Sequence, residues 1–248
     1  MRALVVIPTY QEAGNVVRVL ERVRAALPDG EVLVVDDGSP DGTANLAEAA
    51  GRELGGVSVL RRSAKAGLGD AYRAGFRWGL ERGAPILMEM DADLQHDPAD
   101  LARLIEPIEA GEADLVIGSR YVPGGAIPDW ALHRRLLSRW GNRYASMVLG
   151  LGVADSTAGY RAYRASQIEQ LAMDEVRADG YGFQIEMTYR TRRSGGRIVE
   201  VPIRFGERTV GDSKMSGSII LEALRMVTWW GLRDRVLRRG RGTRRPVR

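Results

Sequence analysis

Short apolar runs alternate with amphipathic stretches through the first 120 residues, and this alternation restricts the chain to a layered α/β fold. The runs are Ala3-Leu-Val-Val-Ile7, Val32-Leu-Val-Val35, and residues 57–60, 85–90 and 113–117. Near-continuous hydrophobicity in segments this short predicts strands buried on both faces, as parallel strands are. Between them, residues 15–27 place Val16, Val19, Leu20, Val23 and Leu27 at helical spacing. Asp41 stands where it would cap a helix running through Ala50, and residues 67–82 and 98–110 read as helices, the last opening on Pro98. Strand and helix in turn, joined by short connections, predict a doubly wound, Rossmann-like, mostly parallel sheet flanked by helices.

Ligands of such sheets bind outside the carboxyl ends of the strands, where the topology reverses. Four polar clusters fall at strand ends: residues 8–12, 36–41, 61–69 and 91–97. No Gly-x-Gly-x-x-Gly follows the first strand and no Gly-Lys-Ser/Thr loop occurs, so a phosphate held here must be neutralised by a metal and cationic side chains. Asp91-Ala-Asp93 supplies hard oxygen ligands for Mg²⁺ or Mn²⁺: two carboxylates one residue apart on a turning backbone converge on one ion, and the amide oxygen of Gln95 extends the set. The alternative is an Asp-rich turn followed by an N-cap. Neighbouring strand residues face opposite ways, so Asp37 rather than Asp36 is the candidate for the cleft. His96 reads as a structural neighbour of this turn, not a ligand.

Beyond residue 120 the pattern loosens. Gly124-Gly125 and Pro128 interrupt the chain, and residues 131–149 then carry Leu132, Leu136, Leu137, Trp140, Tyr144 and Val148 along one helical face, with Arg135, Arg139 and Arg143 on a neighbouring stripe. A basic, Trp-bearing amphipathic helix suits a membrane interface, and the same pattern suits a helix packed on the sheet with a solvated arginine row. Residues 160–163 read as a short strand, 182–193 as a helix, 197–205 as a strand and 206–217 as a polar loop bearing Arg208 and Lys214. From Ser218 a stripe of Ile219, Ile220, Ala223, Leu224 and Val227 leads into Trp229-Trp230, a pairing suited to an interfacial anchor or to covering a partner. No composition break marks a domain boundary.

Composition removes several chemistries. The absence of cysteine excludes disulfides, thiolate metal sites and cysteine nucleophiles, and two histidines, His96 and His133, leave no multi-histidine centre. No run of about eighteen apolar residues occurs, so no spanning helix is expected. The first residues lack the pattern of a signal peptide, and a cytoplasmic protein is expected. The net charge of +4 is uneven: residues 233–248 carry eight arginines and one aspartate. Such a tail binds anionic membrane or nucleic acid, or is a solvated end in a chain whose only lysines are Lys65 and Lys214.

Taken together, Pro8-Thr-Tyr-Gln-Glu12, Val34-Val-Asp-Asp-Gly-Ser-Pro-Asp-Gly-Thr43, Lys65-Ala-Gly-Leu-Gly-Asp-Ala-Tyr72, Met90-Asp-Ala-Asp-Leu-Gln-His-Asp-Pro98, Gly118-Ser-Arg-Tyr-Val122, Trp130-Ala-Leu-His-Arg134 with Ser138, Asp155-Ser-Thr-Ala-Gly-Tyr-Arg161, Gly182-Phe-Gln-Ile-Glu-Met187 and Arg208-Thr-Val-Gly-Asp-Ser-Lys214 resemble family-2 glycosyltransferases of the GT-A fold. More narrowly they resemble the dolichol-phosphate (polyprenol-phosphate) mannose synthases. The resemblance covers roughly residues 5–217. It implies a GT-A catalytic domain over residues 1–217, with a nucleotide-sugar half to about residue 120 and an acceptor half after it, followed by an amphipathic helix and Arg-rich tail over 218–248.

The resemblance further implies that Pro8, Tyr10, Glu12 and Asp37 hold the nucleoside of GDP-mannose. Asp91, Ala92, Asp93 and Gln95 would line the diphosphate, Asp91 and Asp93 being the catalytic candidates and Asp93 with Gln95 the metal ligands. Arg208 and Lys214 would close over the diphosphate from a loop, and Lys65 joins the donor site. Arg120, Arg134 and Ser138 would meet the phosphate of a polyprenyl or dolichyl phosphate. The implied enzyme is an inverting, Mg²⁺- or Mn²⁺-dependent mannosyltransferase, peripheral to the inner face of a membrane, working with a separate membrane-anchoring protein and not with nucleic acid. Alternatives are another donor such as UDP-glucose, or a non-catalytic membrane or nucleic-acid binding module. Gln11, where the family usually has Asn, and Tyr160, where Phe is common, are departures that remove no charge.

Overall fold

The computed structural model describes residues 3–128, 130–206 and 223–234. Seven strands, β1 (Ala3–Thr9), β2 (Glu31–Asp36), β3 (Val57–Arg61), β4 (Ile86–Glu89), β5 (Leu115–Ser119), β6 (Arg161–Arg164) and β7 (Ile198–Pro202), form one sheet in the order β3-β2-β1-β4-β6-β5-β7. Helices α1 (Val16–Ala26), α2 (Thr43–Leu54), α3 (Leu68–Glu81), α4 (Leu101–Glu109), α5 (Leu132–Leu149), α6 (Ala165–Gln170) and α7 (Gly180–Arg193) connect them, and residues 223–234 are helical. All the predicted strands and helices that fall within the described residues form, with ends shifted by a few residues.

Strands β1, β2, β4 and β5 are buried on both faces, as their composition requires, whereas β3, expected from its apolar run to be buried likewise, is an edge strand with Ser58 and Arg61 exposed, and the other edge strand, β7, is only partly buried. Val5 and Ile7 of β1 join a core on the side that also holds α1 and α4, while Leu4 and Val6 join the opposite core with Phe76 of α3 and Phe183 of α7. Helix α3 lies close to the sheet because Gly75 and Gly79 face it. A Cβ at Gly75 would stand 2.4 Å from Val6 Cγ1, and one at Gly79 would stand 2.5 Å from Leu87 Cδ2.

The sheet is parallel except for β6, which pairs antiparallel with both β4 and β5. The chain skips a position after β4, lays down β5, and then returns to fill the gap in the reverse direction. This reversal shapes the functional end of the sheet. The segment entering β6, including Gly159, lies between the segments leaving β4 and β5, namely Asp91–Gln95 and Arg120. The two halves expected from the sequence therefore share one sheet.

Helix α5 differs from the others. Only Asn142 and Ala145 along it are buried, whereas Leu132, Leu136, Leu137, Trp140 and Met147 are exposed. The segment 223–234 packs beside α5 through a Tyr144–Thr228 hydroxyl contact of 2.8 Å and onto α7 through a Tyr189–Trp230 stack, leaving Trp229 and Leu232 exposed. Its predicted start at residues 218–222 lies outside the described residues.

Candidate active site

The first two strands end in adjoining turns held by side-chain hydrogen bonds. Asp36 accepts from Thr9 Oγ1 at 3.0 Å, from Ser39 N at 2.9 Å and from Ser39 Oγ at 2.6 Å, so this carboxylate ties the turn together. Asp37 instead lines the adjacent cavity, paired with Arg62 at 2.9 Å. Burial holds its carboxyl above the usual carboxylate range, against the pull of Arg62. Asp41 accepts from Thr43 N and Oγ1 and from Ala13 N, bracing the start of α2 and the 10–13 loop, while Gly42 occupies the N-cap position itself. Lys65 lies over the ring of Tyr10, 4.4 Å from its centroid.

The Asp91–Gln95 turn follows β4. Leu94 adopts φ +64°, and this left-handed residue stands between Asp93 and Gln95. Gln95 N donates to Asp93 Oδ1 at 3.1 Å, and Gln95 Nε2 donates to Gly206 O at 3.0 Å, which leaves Gln95 Oε1 as its acceptor atom. His96 is buried, stacks on Tyr160 at 4.7 Å and accepts from Asp91 N at Nδ1. Burial pushes its pKa down to about 4, so it is neutral with the proton on Nε2, a tautomer that offers no lone pair to an ion.

Among the described residues no cluster of three or more His, Asp or Glu side chains is placed to hold a metal. The oxygens of Asp93 and Gln95 nevertheless suit a hard cation, and such a pair fits an ion whose remaining ligands are water and substrate phosphate.

One cavity of about 320 Å³ connects these features. Its wall includes Pro8, Tyr10, Glu12, Asp37, Lys65, Asp91, Ala92, Asp93 and Gln95, so every donor-site candidate within the described residues lines one space. Arg208 and Lys214 lie outside the described residues. Arg120 and Arg134 line the other end of the same cavity. Ser138 does not; it lines a smaller apolar groove of about 80 Å³ formed by α5, α7 and the 223–234 segment, which shares Arg120, Trp130 and Arg134 with the cavity.

The two arginines differ in kind. Arg120 is buried, and its Nε and Nη2 donate to the carboxylate of fully buried Asp155, each at 2.7 Å. Glu200 of β7 holds that loop by accepting from Ala154 N and Asp155 N. Arg120 is further enclosed by the rings of Tyr121, Trp130 and Phe205 at 5.5–5.6 Å. Its charge at the cavity is therefore largely cancelled. Arg134 is half-buried and stacked over Trp130 at 3.8 Å. Ser138 accepts from the Tyr121 hydroxyl at 2.7 Å. Buried Asn142 joins α5 to the site by accepting from Ser156 Oγ and Thr157 N.

Trp130, Thr157, Gly159, Tyr181 and Gln184 also line the cavity and carried no sequence-based role. Trp130, Thr157, Gly159 and Gln184 stand inside motifs quoted above; Tyr181 had no signal.

The sequence profile of Glycosyl transferase family 2 matches residues 4–172. Over 235 residues the chain is 53% identical to an undecaprenyl-phosphate mannosyltransferase of Micrococcus luteus, covering 95% of this chain and 96% of that one. It is 52% identical over 242 residues to a polyprenol monophosphomannose synthase of Mycolicibacterium smegmatis, covering 97% and 91%. Among solved structures, glucosyl-3-phosphoglycerate synthase from Mycobacterium tuberculosis in complex with Mn²⁺, UDP and glucosyl-3-phosphoglycerate superposes with a TM-score of 0.68 at 22% identity, over 91% of this chain and 78% of that one, which establishes the common fold.

Proposed function

The chain belongs to glycosyl transferase family 2, among the polyprenyl-phosphate mannosyltransferases, and we propose that it moves mannose from GDP-mannose to a polyprenyl monophosphate at a membrane surface, with inversion at the sugar carbon. One observation carries this: a single cavity has hard carboxylate and amide oxygens at one end, a stacked arginine at the other, and an apolar groove opening beside that arginine.

The chemistry asks little of the protein as a base. A phosphate monoester with a second pKa of about 6 is largely dianionic at neutral pH, so the attacking oxygen needs no deprotonation. Its bond to the sugar's anomeric carbon forms as the bond from that carbon to the diphosphate breaks, and GDP leaves. What the site must supply is room for two anions. Arg134, preorganised on Trp130, draws the acceptor phosphate, and the groove beside it suits the first isoprene units. Asp37 and Glu12 address the nucleoside, and Asp93 with Gln95 would hold a divalent ion, Mg²⁺ or Mn²⁺. When bound, that ion neutralises the leaving diphosphate as a Lewis acid.

The exposed leucines and tryptophans of α5 and the 223–234 segment, bordered by arginines, suit a surface that lies on lipid. No helix among the described residues is long and apolar enough to cross a membrane.

The test is transfer of label from GDP-mannose or UDP-glucose to a polyprenyl phosphate, with and without Mg²⁺ or Mn²⁺. Labelled lipid from GDP-mannose is expected, dependent on the ion. Product from UDP-glucose alone would overturn the donor assignment, and product undiminished by chelator would overturn the metal.

A further inference from the structure

Helix α5 carries a glycine that neither packing nor backbone conformation explains. Gly141 lies in the middle of this 18-residue helix, where glycine is destabilising relative to alanine because it loses more chain freedom on folding. Other helical glycines of the chain stand where two elements meet. A Cβ at Gly79 of α3 would strike Leu4 and Leu87, one at Gly182 of α7 would strike Met226, and one at Gly231 would strike Val148 of α5. At Gly141 a Cβ would meet nothing within 4 Å among the described residues, and the backbone there is ordinary right-handed helix.

The space beside Gly141 is the apolar groove. Arg134, Ser138, Gly141 and Ala145 recur at helical spacing and all line it, facing Ile185 of α7 and Val227 of the 223–234 segment. At 1.5 Å of rise per residue, Gly141 stands about 10 Å along α5 from Arg134, beyond the reach of a single isoprene unit whose phosphate is held at that arginine. The polar groups at this depth are already paired. Asn142 Nδ2 donates to Ser138 O and Thr157 Oγ1, its Oδ1 accepts from Ser156 Oγ and Thr157 N, and the Tyr144 hydroxyl is occupied by Thr228. A polar ligand would find little to bond here, whereas a hydrocarbon chain leaves no partner stranded. In a groove of about 80 Å³, one added side chain takes a large share of the room.

We propose that Gly141 is a specificity-determining position for the acceptor: it is bare so that the polyprenyl chain, past its first isoprene unit, can lie against the backbone of α5. This rests on reading the groove as the path of the acceptor's lipid.

The experiment compares the full chain with Gly141→Ala and Gly141→Leu. Gly141→Ala is expected to raise the thermal midpoint by about 2–4 °C, as alanine in an open helical position does, and Gly141→Leu to leave it no lower than in the parent. With GDP-mannose as donor, Gly141→Leu is expected to lose about tenfold in kcat/KM for farnesyl phosphate, and Gly141→Ala to lose less. The inhibition constant of prenyl phosphate, which carries a single isoprene unit, is expected to change less than about twofold in both variants, as is GDP-mannose binding. A lower midpoint in either variant would show that the chain itself fills the space and would overturn the proposal. So would a Gly141→Leu protein that uses farnesyl phosphate as well as the parent does, or one that loses prenyl phosphate and farnesyl phosphate equally. A parent that transfers only from UDP-glucose overturns the donor assignment alone, and the same comparison with that donor then decides Gly141. A parent that glycosylates no polyprenyl phosphate overturns both readings.

Discussion

The two ends of the cavity are built differently. At the donor end, carboxylates first bond within their own turns, Asp36 with Ser39, Asp41 with Thr43 and Asp93 with Gln95, and neighbouring turns are then tied by Thr9 to Asp36, Ala13 to Asp41 and Arg62 to Asp37. At the acceptor end, side chains are set by contacts between distant segments: Arg120 with Asp155, Asn142 with Thr157, Tyr121 with Ser138. Strain follows the same division. Among the described residues three non-glycine residues have positive φ, Gln11, Leu94 and Ala172, and two of them sit in donor-end turns. A donor end whose turns are closed on themselves and tied to one another presents its groups before substrate arrives. An acceptor end assembled from several elements places its charge by burial and ion pairing, so substitutions there test stability as well as binding.

The largest expected effect separates chemistry from folding. Asp93→Asn removes a carboxylate from the donor turn, and transfer is expected to fall by about 10³ or more while the thermal midpoint stays close to that of the parent. An equally large fall in stability would mean that the donor turn is structural in the way the acceptor end is. Arg120→Met is the counterpart. It strands the buried Asp155 carboxylate, and a loss on the order of 3–5 kcal/mol in denaturant unfolding is expected, much of it regained with Asp155→Asn in the same chain. A stable Arg120→Met protein that lost only acceptor affinity would show that Arg120 faces the phosphate despite its ion pair.

That division also explains what could be read from the sequence. Aliphatic runs and helical spacing located the strands and helices, because those periods are local. Asp37, Asp93 and Gln95 were legible because their turns lie at strand ends, where the crevice of a doubly wound sheet must be. The pairing of Arg120 with Asp155 crosses 35 residues and had no local signal, so the sequence offered Arg120 as a phosphate ligand without the buried ion pair that holds it at the cavity wall. Gln184 was hidden for a related reason. Its place in the cavity wall depends on β6 running backwards between β4 and β5, which brings Gly159 and Asp91 beside α7, and no period in the sequence announces a reversed strand.

Glu89 lies beneath the middle of the cavity, where the two modes of construction meet. It is fully buried, and burial pushes its carboxyl up to about 7, outweighing the attraction of Arg161. A raised folded-state value means that the protonated form favours folding. The stabilisation is fully present below about pH 4.5 and is lost as pH rises through about 7. Glu89→Gln, which mimics the protonated acid, is expected to leave stability unchanged at pH 4 and to raise it by about 2 kcal/mol at pH 8, flattening the profile measured by denaturant unfolding. A parent profile that is already flat would show that Arg161 compensates the charge fully.

At the acceptor end, Arg134→Ala should behave unlike Arg120→Met. The side chain is half-buried and held on Trp130, so its removal is expected to change stability little and to raise KM for polyprenyl phosphate about tenfold, with GDP-mannose binding altered less than twofold. Equal weakening of donor and acceptor would place Arg134 in the donor site instead.

The smallest expected effect probes the donor turn's strain. Gln11 stands where the family usually has Asn, and by side-chain chemistry the change is mild. Its backbone, however, has φ +59°, in the left-handed region that Asn occupies several-fold more readily than most residues. Its N–H is held by Ser39 Oγ at 2.9 Å, so the turn cannot relax without breaking a contact to the β2 end. The exposed amide contributes no packing that Asn would forfeit. Gln11→Asn is therefore expected to stabilise the chain by about 0.5 kcal/mol, read as a rise of about 1–2 °C in the thermal midpoint. GDP affinity would rise if the turn is strained only in the free protein and stay constant if the strain persists in the complex. No rise in the midpoint would mean that the Ser39 contact already offsets the left-handed conformation.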